Sequence, residues 1–516
     1  MKHLVTCILW GITFVVAYAQ PNERIIGKKV DGGDLTAVYY SFPQRLQSFS
    51  TDKSMRYICL HFRDTTSNGK SLKNKGEVGI YDIKRREIMW KEPINYLSTL
   101  PVFTSEGVLL HEMTKTSLLD FQTGNERWKS SFFHVYVSDS LNVLLGYKYP
   151  ASDILRAIRL SDGTELWRRK LSHRYGWQQQ YDIYPDKRLI VADDIHELNL
   201  LTGEMFTHEA KTGVEDVKGM LLKGVGALAL GIATGMVSGG LGYVTYVPTY
   251  SNVIIGMVSN VLLEDSCYYV ADRRCITCLD RQLGTRWRTD LPDKRSSYSR
   301  LFMMGDKLYM LNYGYALKDG SKKVKNGRPF IACYDKHSGE EIYFNQLTTQ
   351  KDMIEDAYIS EDEALYMLFD DGLAYQYLND SIVDISLWDT EKYGRLHALV
   401  KNGVYRYRRD KEDFIHLESS ADYCMVSNDK MDIFEVDKKL NVRTRYGAES
   451  IYDTYYALDA YRLIGNGQDF WLIHELGMPV AHLTTNFRYG YAQGRKLWLL
   501  SNENEILEVD LDKALE

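Results

Sequence analysis

The sequence has few cysteines, 7 in 516 residues, and no block of lysine and arginine. Six cysteines follow Cys7, too few for a scaffold held by disulfides, so most are expected to be small buried apolar residues. These six are Cys59, Cys267, Cys275, Cys278, Cys333 and Cys424. The net charge is only −6. Because no basic block marks a nucleic-acid surface, we expect no nucleic-acid partner.

Long uncharged segments are also scarce, and the first lies at the N-terminus. Lys2 and His3 precede an apolar run over residues 4–16, which is followed by Ala-Tyr-Ala at 17–19. A charged start, an apolar core and a small-x-small site are typical of a secretory signal peptide. The sequence therefore predicts a signal peptide over residues 1–19 and an exported protein, periplasmic or envelope-associated. An N-terminal membrane anchor is the alternative.

A short pattern recurs along the rest of the chain: an alternating strand, a polar turn that usually holds glycine, and a second strand with an aromatic anchor. Successive anchors are 38, 39, 39, 81 and 56 residues apart. The anchors are Trp90, Trp128, Trp167, Phe206, Trp287 and Tyr343. The turn glycines, each expected to have positive φ, are Gly124, Gly163, Gly203, Gly284 and Gly339.

A period near 40 built from short strands is the signature of β-propeller blades. Each blade is a four-stranded sheet that must stack on its neighbours to bury its faces. The sequence predicts an all-β propeller of about eight four-stranded blades, with seven as the alternative. The predicted propeller is a single domain over residues 20–516.

The repeat over residues 260–287 resembles the repeat of the pyrroloquinoline-quinone-like β-propeller family. The resemblance lies in Tyr-Val-Ala-Asp at 269–272, Ile-Thr-Cys-Leu-Asp at 276–280, Gly284 and Trp287. Some members of that family are dehydrogenases that hold a quinone and calcium on the propeller axis, often beneath a disulfide between adjacent cysteines. The resemblance implies an architecture more than an activity, since one fold hosts many functions.

Residues that would carry such catalysis are not found. The chain has no adjacent cysteine pair, and no Asp, Glu and Asn cluster matches the calcium and catalytic positions of the dehydrogenases. It also has no HxH and no GxSxG motif. We therefore expect no catalytic residue, metal or cofactor. A quinoprotein-like dehydrogenase, or a carbohydrate-binding propeller using its axial loops, is the alternative function.

Cys275 and Cys278 form a C-x-x-C pair that could be read as a redox or zinc motif. Here the pair falls within a strand, where a three-residue offset sends the two side chains to opposite faces. We interpret them as core cysteines. A cross-strand bridge between Cys267 and Cys278 is the alternative.

The 81-residue spacing equals one repeat plus about 41 residues, which places an insertion over 211–256 between the fourth and fifth blades. It contains GVGALALGIATGMVSGGLG at 224–242, nineteen uncharged residues with seven glycines. Thr212, with Glu215 and Asp216 in the first turn, is expected to begin a helix. That helix would be apolar on every side from Gly224 onward, which implies burial.

A membrane span by this insertion conflicts with ring closure, because the blades before and after it lie on one side of any membrane. Two crossings would need about 40 apolar residues, but only 33 separate Lys223 from Met257. The segment is expected to pack on its own propeller, on a partner or second copy, or shallowly in a membrane through 224–248. The candidate contact residues are Gly231, Thr234, Gly235, Met236, Ser238 and Gly239. The sequence thus predicts an exported, non-catalytic scaffold with a protein partner in the cell envelope.

Overall fold

The computed structural model describes residues 22–515 except 113, 217–252, 349–351, 361–362, 370–371, 379–382, 421 and 503. Within these residues the regular structure is almost entirely β. The helices described are α1 Thr390–Tyr393, the 3₁₀ helix Ala448–Ser450 and α2 Leu511–Leu515. The all-β prediction is confirmed. The predicted signal peptide lies outside the described residues.

The chain divides into two compact units. One holds the described residues of 1–43 and 455–516, and the other holds those of 44–454. Strands are numbered along the chain, beginning with β1 Glu23–Lys29 and β2 Asp34–Ser41.

The unit of residues 44–454 is built from four-stranded antiparallel meanders that follow one another along the chain. The first meander comprises β3 Leu46–Thr51, β4 Tyr57–Thr65, β5 Leu72–Asp82 and β6 Glu87–Asn95, and the second comprises β7 Leu100–Thr104, β8 Gly107–His111, β9 Thr116–Leu119 and β10 Glu126–Ser130. The third comprises β11 Phe133–Ser138, β12 Val143–Tyr147, β13 Ile154–Arg159 and β14 Glu165–Lys170, and the fourth comprises β15 Gln179–Tyr184, β16 Lys187–Val191, β17 Ile195–Asn199 and β18 Met205–His208. The fifth meander comprises β21 Leu262–Glu264, β22 Cys267–Ala271, β23 Cys275–Asp280 and β24 Thr285–Asp290, and the sixth comprises β25 Ser299–Met304, β26 Lys307–Asn312, β29 Phe330–Asp335 and β30 Glu341–Gln346. The seventh comprises β31 Asp356–Ile359, β32 Ala364–Leu368, β33 Gly372–Tyr377 and β34 Val383–Leu387, and the eighth comprises β35 Leu396–Leu399, β38 Tyr423–Asn428, β39 Ile433–Asp437 and β40 Val442–Tyr446.

Consecutive meanders of this unit stack face to face. The central strands are buried on both faces, as in β22, where all five residues are buried. The last strand of a meander alternates instead, as in β24, because only its inward side chains meet a neighbouring sheet. Most of the apolar clusters draw on two successive meanders; one, for example, joins Tyr147 and Leu155 to Ile190 and Leu198. Stacked four-stranded meanders are the blade packing of a β-propeller, which confirms the predicted fold class.

Two further groups of strands are inserted into this series. β19 Gly213–Glu215 and β20 Val253–Ile255 pair with the hairpin of β27 Tyr315–Lys318 and β28 Lys322–Lys325 to form a separate sheet, in the order β19-β20-β27-β28. We call this the stem sheet. The second group is the hairpin of β36 Val404–Arg408 and β37 Asp413–Leu417, inserted between β35 and β38.

The stem sheet corrects one expectation. Gly213–Glu215 is a strand paired with Val253–Ile255, so the helix predicted to begin at Thr212 does not form there. The cap expected at Thr212 and the acidic first turn at Glu215 and Asp216 do not decide the structure here. Gly213 pairs instead with Ile255, because tertiary pairing overrides local propensity. Residues 217–252, and with them the predicted helical segment, lie outside the described residues.

The other unit joins both ends of the chain. Its remaining strands are β41 Ile451–Leu458, which starts before the unit boundary, β42 Tyr461–Gly465, β43 Phe470–His474, β44 Pro479–Leu483, β45 Phe487–Gln493, β46 Lys496–Ser501 and β47 Glu505–Asp510. β2 pairs with β47 and so supplies the fourth strand of the last meander, while β1 bridges β2 and β44. Ile26, Leu463, Leu499 and Leu507 share the core between these strands. The blade number and the single domain over 20–516 stay predictions.

Candidate functional site: repeat junctions and the stem of the insertion

Each of the four predicted tryptophans packs on the turn glycine of the next meander. A Cβ added to the glycine would lie 2.4–3.0 Å from the nearest ring atom of the tryptophan, too close for any residue but glycine. The pairs are Trp90 with Gly124, Trp128 with Gly163, Trp167 with Gly203, and Trp287 with Gly339. All four glycines have φ between 69° and 75°, the left-handed region that glycine occupies without strain.

The indole N–H groups of the four tryptophans all make an equivalent hydrogen bond. It donates to the backbone oxygen of the residue three positions before the glycine, at 2.8–3.1 Å. Tyr343, the last predicted anchor, donates its hydroxyl to the Leu378 oxygen at 2.9 Å. The aromatic anchors therefore join successive meanders by both packing and a hydrogen bond.

The junction between the fourth and fifth meanders, where the insertion enters, is different. Phe206 stands where the other repeats have tryptophan, and Gly284 does not have positive φ. The expectation of positive φ at Gly284 is wrong, because Leu283, with φ of 61°, takes the left-handed position one residue earlier. Asp280 closes this shorter turn by accepting hydrogen bonds from the backbone N–H groups of Gln282 and Gly284. Leu283 is buried in the cluster on which Phe206 packs.

A polar network strengthens the same junction. The buried carboxylate of Glu197 accepts from Lys187 Nζ at 2.9 Å and from the Tyr268 hydroxyl at 2.8 Å. Arg281 donates to the Tyr268 oxygen at 2.8 Å and lies over its ring. Burial raises the pKa of Tyr268 to about 12, so the hydroxyl remains a donor to Glu197. A charge-assisted network thus replaces the tryptophan contact between these two meanders.

We expect Tyr268→Phe to lower the free energy of unfolding by about 1.5–3 kcal/mol, because the buried Glu197 carboxylate loses a donor. Tyr334→Phe is the matched control: Tyr334 is equally buried, but its hydroxyl makes no hydrogen bond within the part of the chain that the structure describes. Removing that hydroxyl should be neutral or stabilising. Urea unfolding of both variants checks this, and equal losses would contradict it.

The stem sheet begins directly after this junction. Gly213 pairs with Ile255 and Val214 with Ile254, and β20 continues the sheet to β27, where Ile255 lies opposite Leu317. A Cβ on Gly213 would lie 2.7 Å from the Tyr175 ring, so the glycine allows the strand to lie against that ring. The strands on the two sides of residues 217–252 therefore lie side by side.

Buried hydrogen bonds hold the stem to the loops of the fourth meander. Thr212 is fully buried and donates to the Ala192 oxygen at 2.7 Å. The Gln178 amide bridges both sides of the stem: it donates to the Thr212 oxygen at 3.3 Å and accepts from Gly256 N–H at 3.1 Å. Lys211 N–H donates to Asp272, at the end of β22. The base of the insertion is thus tied to two successive meanders.

Side chains around the stem are aromatic and charged. Tyr298 stacks on Tyr315 with ring centroids 5.0 Å apart, and Tyr313 meets Tyr298 edge-on at 5.6 Å. Burial raises the pKa of Tyr313 to about 12. Arg174 pairs with Glu215 at 2.5 Å, and Lys318 pairs with Asp216. The hydrogen bond with Asp216 raises the pKa of Lys318, so Lys318 stays charged at neutral pH.

The predicted contact residues Gly231, Thr234, Gly235, Met236, Ser238 and Gly239 lie outside the described residues. The hairpin that completes the stem sheet was not predicted from the sequence. A signal for it exists, since Trp287 and Tyr343 are 56 residues apart, about 17 more than a repeat. The hairpin of β27 and β28 fills that excess.

The six cysteines after Cys7 are all buried and free. Cys275 and Cys278 are therefore core residues, and no bridge joins Cys267 to Cys278. Burial raises the pKa of both Cys275 and Cys278, which disfavours the reactive thiolate. Among the described residues, no three His, Cys, Asp or Glu side chains are grouped to hold a metal ion.

Over the described ranges, none of the helices has the length and apolar character needed to span a bilayer.

No protein-family model and no curated protein matches the chain. Among solved structures, BamB from Moraxella catarrhalis is similar at 13% identity, over 76% of this chain and 97% of that chain, with a TM-score of 0.31. The dihydro-heme d1 dehydrogenase NirN is similar at 10% identity over 78% and 75%, with a TM-score of 0.30. AztD from Citrobacter koseri is similar at 7% identity over 76% and 94%, with a TM-score of 0.29. TM-scores this low carry no argument, so the propeller class rests on the stacked meanders and tryptophan–glycine contacts of this chain.

Proposed function

We propose that this protein is an exported, non-catalytic propeller of the pyrroloquinoline-quinone-like type that acts as an interaction scaffold in the cell envelope. The apolar segment within 211–256 is the part that contacts a protein partner. Gly231, Thr234, Gly235, Met236, Ser238 and Gly239 are the residues proposed to meet that partner.

The observation that carries the proposal is the stem sheet. Strands β19 and β20 hold the two ends of the insertion together, and Gln178 and Thr212 tie them to the neighbouring meander. A segment whose two ends are held in paired strands has less conformational freedom to lose when it binds a partner. An unanchored loop would lose more of its binding free energy to ordering.

The composition of the segment supports the same function. Residues 224–247 carry no charge, and an apolar surface of this length is stable in water only when protein or lipid covers it. Gly231, Gly235 and Gly239 recur every four residues, a spacing that allows close backbone approach by another helix.

The test replaces residues 217–252 by a three-residue Gly-Asn-Gly turn between Asp216 and Val253. Because Glu215 lies opposite Val253, a short turn closes the stem without moving its strands. We expect an unchanged far-UV circular dichroism spectrum and a Tm within about 2 °C of the full chain, a shift below about 1 kcal/mol. The variant should lose the co-purifying envelope protein that the full chain retains.

Photo-crosslinking in the producing cells identifies the contact directly. A photoreactive residue at Met236 should give a discrete crosslinked species, whereas one at Leu97, which is 63% exposed in the turn between β6 and β7, should not. Unfolding of the shortened variant would instead make the insertion part of the core. Equal crosslinking at Met236 and Leu97, or retention of the partner without residues 217–252, would also contradict the proposal.

A further inference from the structure

The last strand of the seventh meander exposes large apolar side chains. Among the described residues, β34 Val383–Leu387 pairs with β33 alone, so its other edge has no partner strand there. Leu387 is 79% exposed, the highest value among the large apolar side chains of the described residues, and Ile385 is 58% exposed. Both project from the same face of the strand, since they are two residues apart.

Some of the corresponding strands of other meanders carry positive charge. β10 carries Arg127 and Lys129, and β24 carries Arg286 and Arg288. Charged side chains, lysine above all, keep exposed strand edges from pairing with other chains. β34 has no lysine or arginine, and Asp384 is its one charged residue. This edge, like those of β18 and β30, therefore lacks the lysine and arginine side chains of β10 and β24.

We propose that two copies of this chain associate by antiparallel pairing of their β34 strands. The sequence Val-Asp-Ile-Ser-Leu is apolar, polar, apolar, polar and apolar, and so is symmetric about Ile385. A two-fold axis through Ile385 places Val383 opposite Leu387 of the second copy and Ile385 opposite its own equivalent. An isologous contact requires this kind of self-complementary surface.

The same register also avoids contacts between like charges. Asp384 lies opposite Ser386 of the second copy, so a carboxylate meets a hydroxyl rather than another carboxylate. A register centred on Asp384 would set two carboxylates directly opposite each other, which is destabilising. The register centred on Ile385 thus pairs all five residues without a like-charge contact.

The association is expected to be weak. Five paired residues bury much less than the roughly 1,200–2,000 Å² of a stable interface. The dimer should therefore appear only as the concentration rises, over a range of about 1–500 µM.

The test is sedimentation-velocity centrifugation of the full chain and of two variants at one position. Ser386→Lys places a lysine opposite Asp384 of the second copy, twice per dimer, and should tighten association about 2- to 30-fold. Ser386→Asp places two carboxylates opposite each other and should weaken association by a similar factor. Both effects should shrink in 1 M salt.

Ile385→Lys should abolish the dimer, while Leu476→Lys, at a leucine that is 76% exposed and lies outside β34, should leave it unchanged. Far-UV circular dichroism verifies that each variant is folded. A chain that stays monomeric up to about 500 µM would overturn the proposal. So would Ser386 variants that shift association in the same direction, or a dimer that Leu476→Lys disrupts and Ile385→Lys does not.

Discussion

Trp167→Ala is expected to lower the free energy of unfolding by about 3–5 kcal/mol, the usual cost of truncating a buried tryptophan. Trp167 is 7% exposed and belongs to the cluster shared by the third and fourth meanders. Its indole N–H donates to the Leu200 oxygen at 2.8 Å. The substitution therefore removes packing from both meanders and leaves that oxygen without its donor. Urea unfolding followed by circular dichroism measures the loss.

A double-mutant cycle tests whether the tryptophan and the glycine act together. A Cβ on Gly203 would lie 2.5 Å from Trp167 Cδ2, so Gly203→Ala suffers both that overlap and the cost of a left-handed residue. Gly69→Ala is the matched control, with φ of 67° against 69° and no atom within 4 Å of its added Cβ. It should cost only the conformational term, about 1–2 kcal/mol.

In the Trp167→Ala background, Gly203→Ala should lower the free energy of unfolding by no more than Gly69→Ala does, because the tryptophan ring that would overlap the new Cβ is gone. Non-additivity of this kind is expected for residues in contact. Strictly additive losses from Trp167→Ala and Gly203→Ala would show that the two residues stabilise the junction independently.

Acidification is expected to destabilise the protein strongly between pH 6.5 and 4. Burial lowers the pKa of His61, His111 and His196 to about 4. Burial also lowers the pKa of His134, whose Nδ1 lies 2.9 Å from Nδ1 of His111, so both rings cannot be protonated together. These groups fold as neutral imidazoles and must take up protons in acid.

The direction of this pH effect follows from the difference between the folded and the unfolded pKa of each histidine. An unfolded histidine titrates near 6.5. The stabilising contribution is therefore complete above pH 6.5 and is lost as the pH falls toward the folded value near 4. At pH 5 each of the three histidines with a folded pKa of about 4 lowers the free energy of unfolding by about 2 kcal/mol, and the three together by about 6 kcal/mol.

Urea unfolding at pH 7.5, 6 and 5 measures this loss. His196→Asn should reduce the pH dependence by about one histidine's share, because Asn can still bond Thr207 but does not titrate. His337→Asn, at a side chain that is 70% exposed, should leave the dependence unchanged. A stability that is flat from pH 7.5 to 5 would contradict the prediction.

The sequence predicted the repeating parts of the fold because they depend on local pattern. Trp128 and Gly163 were both identified as repeat positions, since an aromatic anchor and a turn glycine recur at a fixed spacing, but their contact with each other was not predicted. Gly284 was misassigned because its turn is one residue shorter than that of Gly124: Asp280 N–H donates to the Gly284 oxygen, whereas Asp120 N–H donates to the Asn125 oxygen. Leu283 therefore takes the left-handed position.

The sequence predicted where the candidate site lies along the chain but not its secondary structure. The spacing located the insertion between Phe206 and Trp287, but the local signals at Thr212 and Asp216 favoured a helix. The stem sheet depends instead on strands that are distant in sequence: Ile255 lies opposite Gly213 on one side and Leu317 on the other. No local pattern identifies such partners, because pairing is decided by which loops the packed meanders bring together.

By itself, the sequence determined the period, the alternation of buried and exposed residues and the aromatic anchors, since each follows from short-range side-chain chemistry. Only the tertiary structure decided that β2 completes the meander ending at β47, that Tyr175 lies on Gly213, and that β34 leaves an apolar edge exposed. Those features depend on contacts between distant segments. Their free energy is gained only after the meanders have stacked.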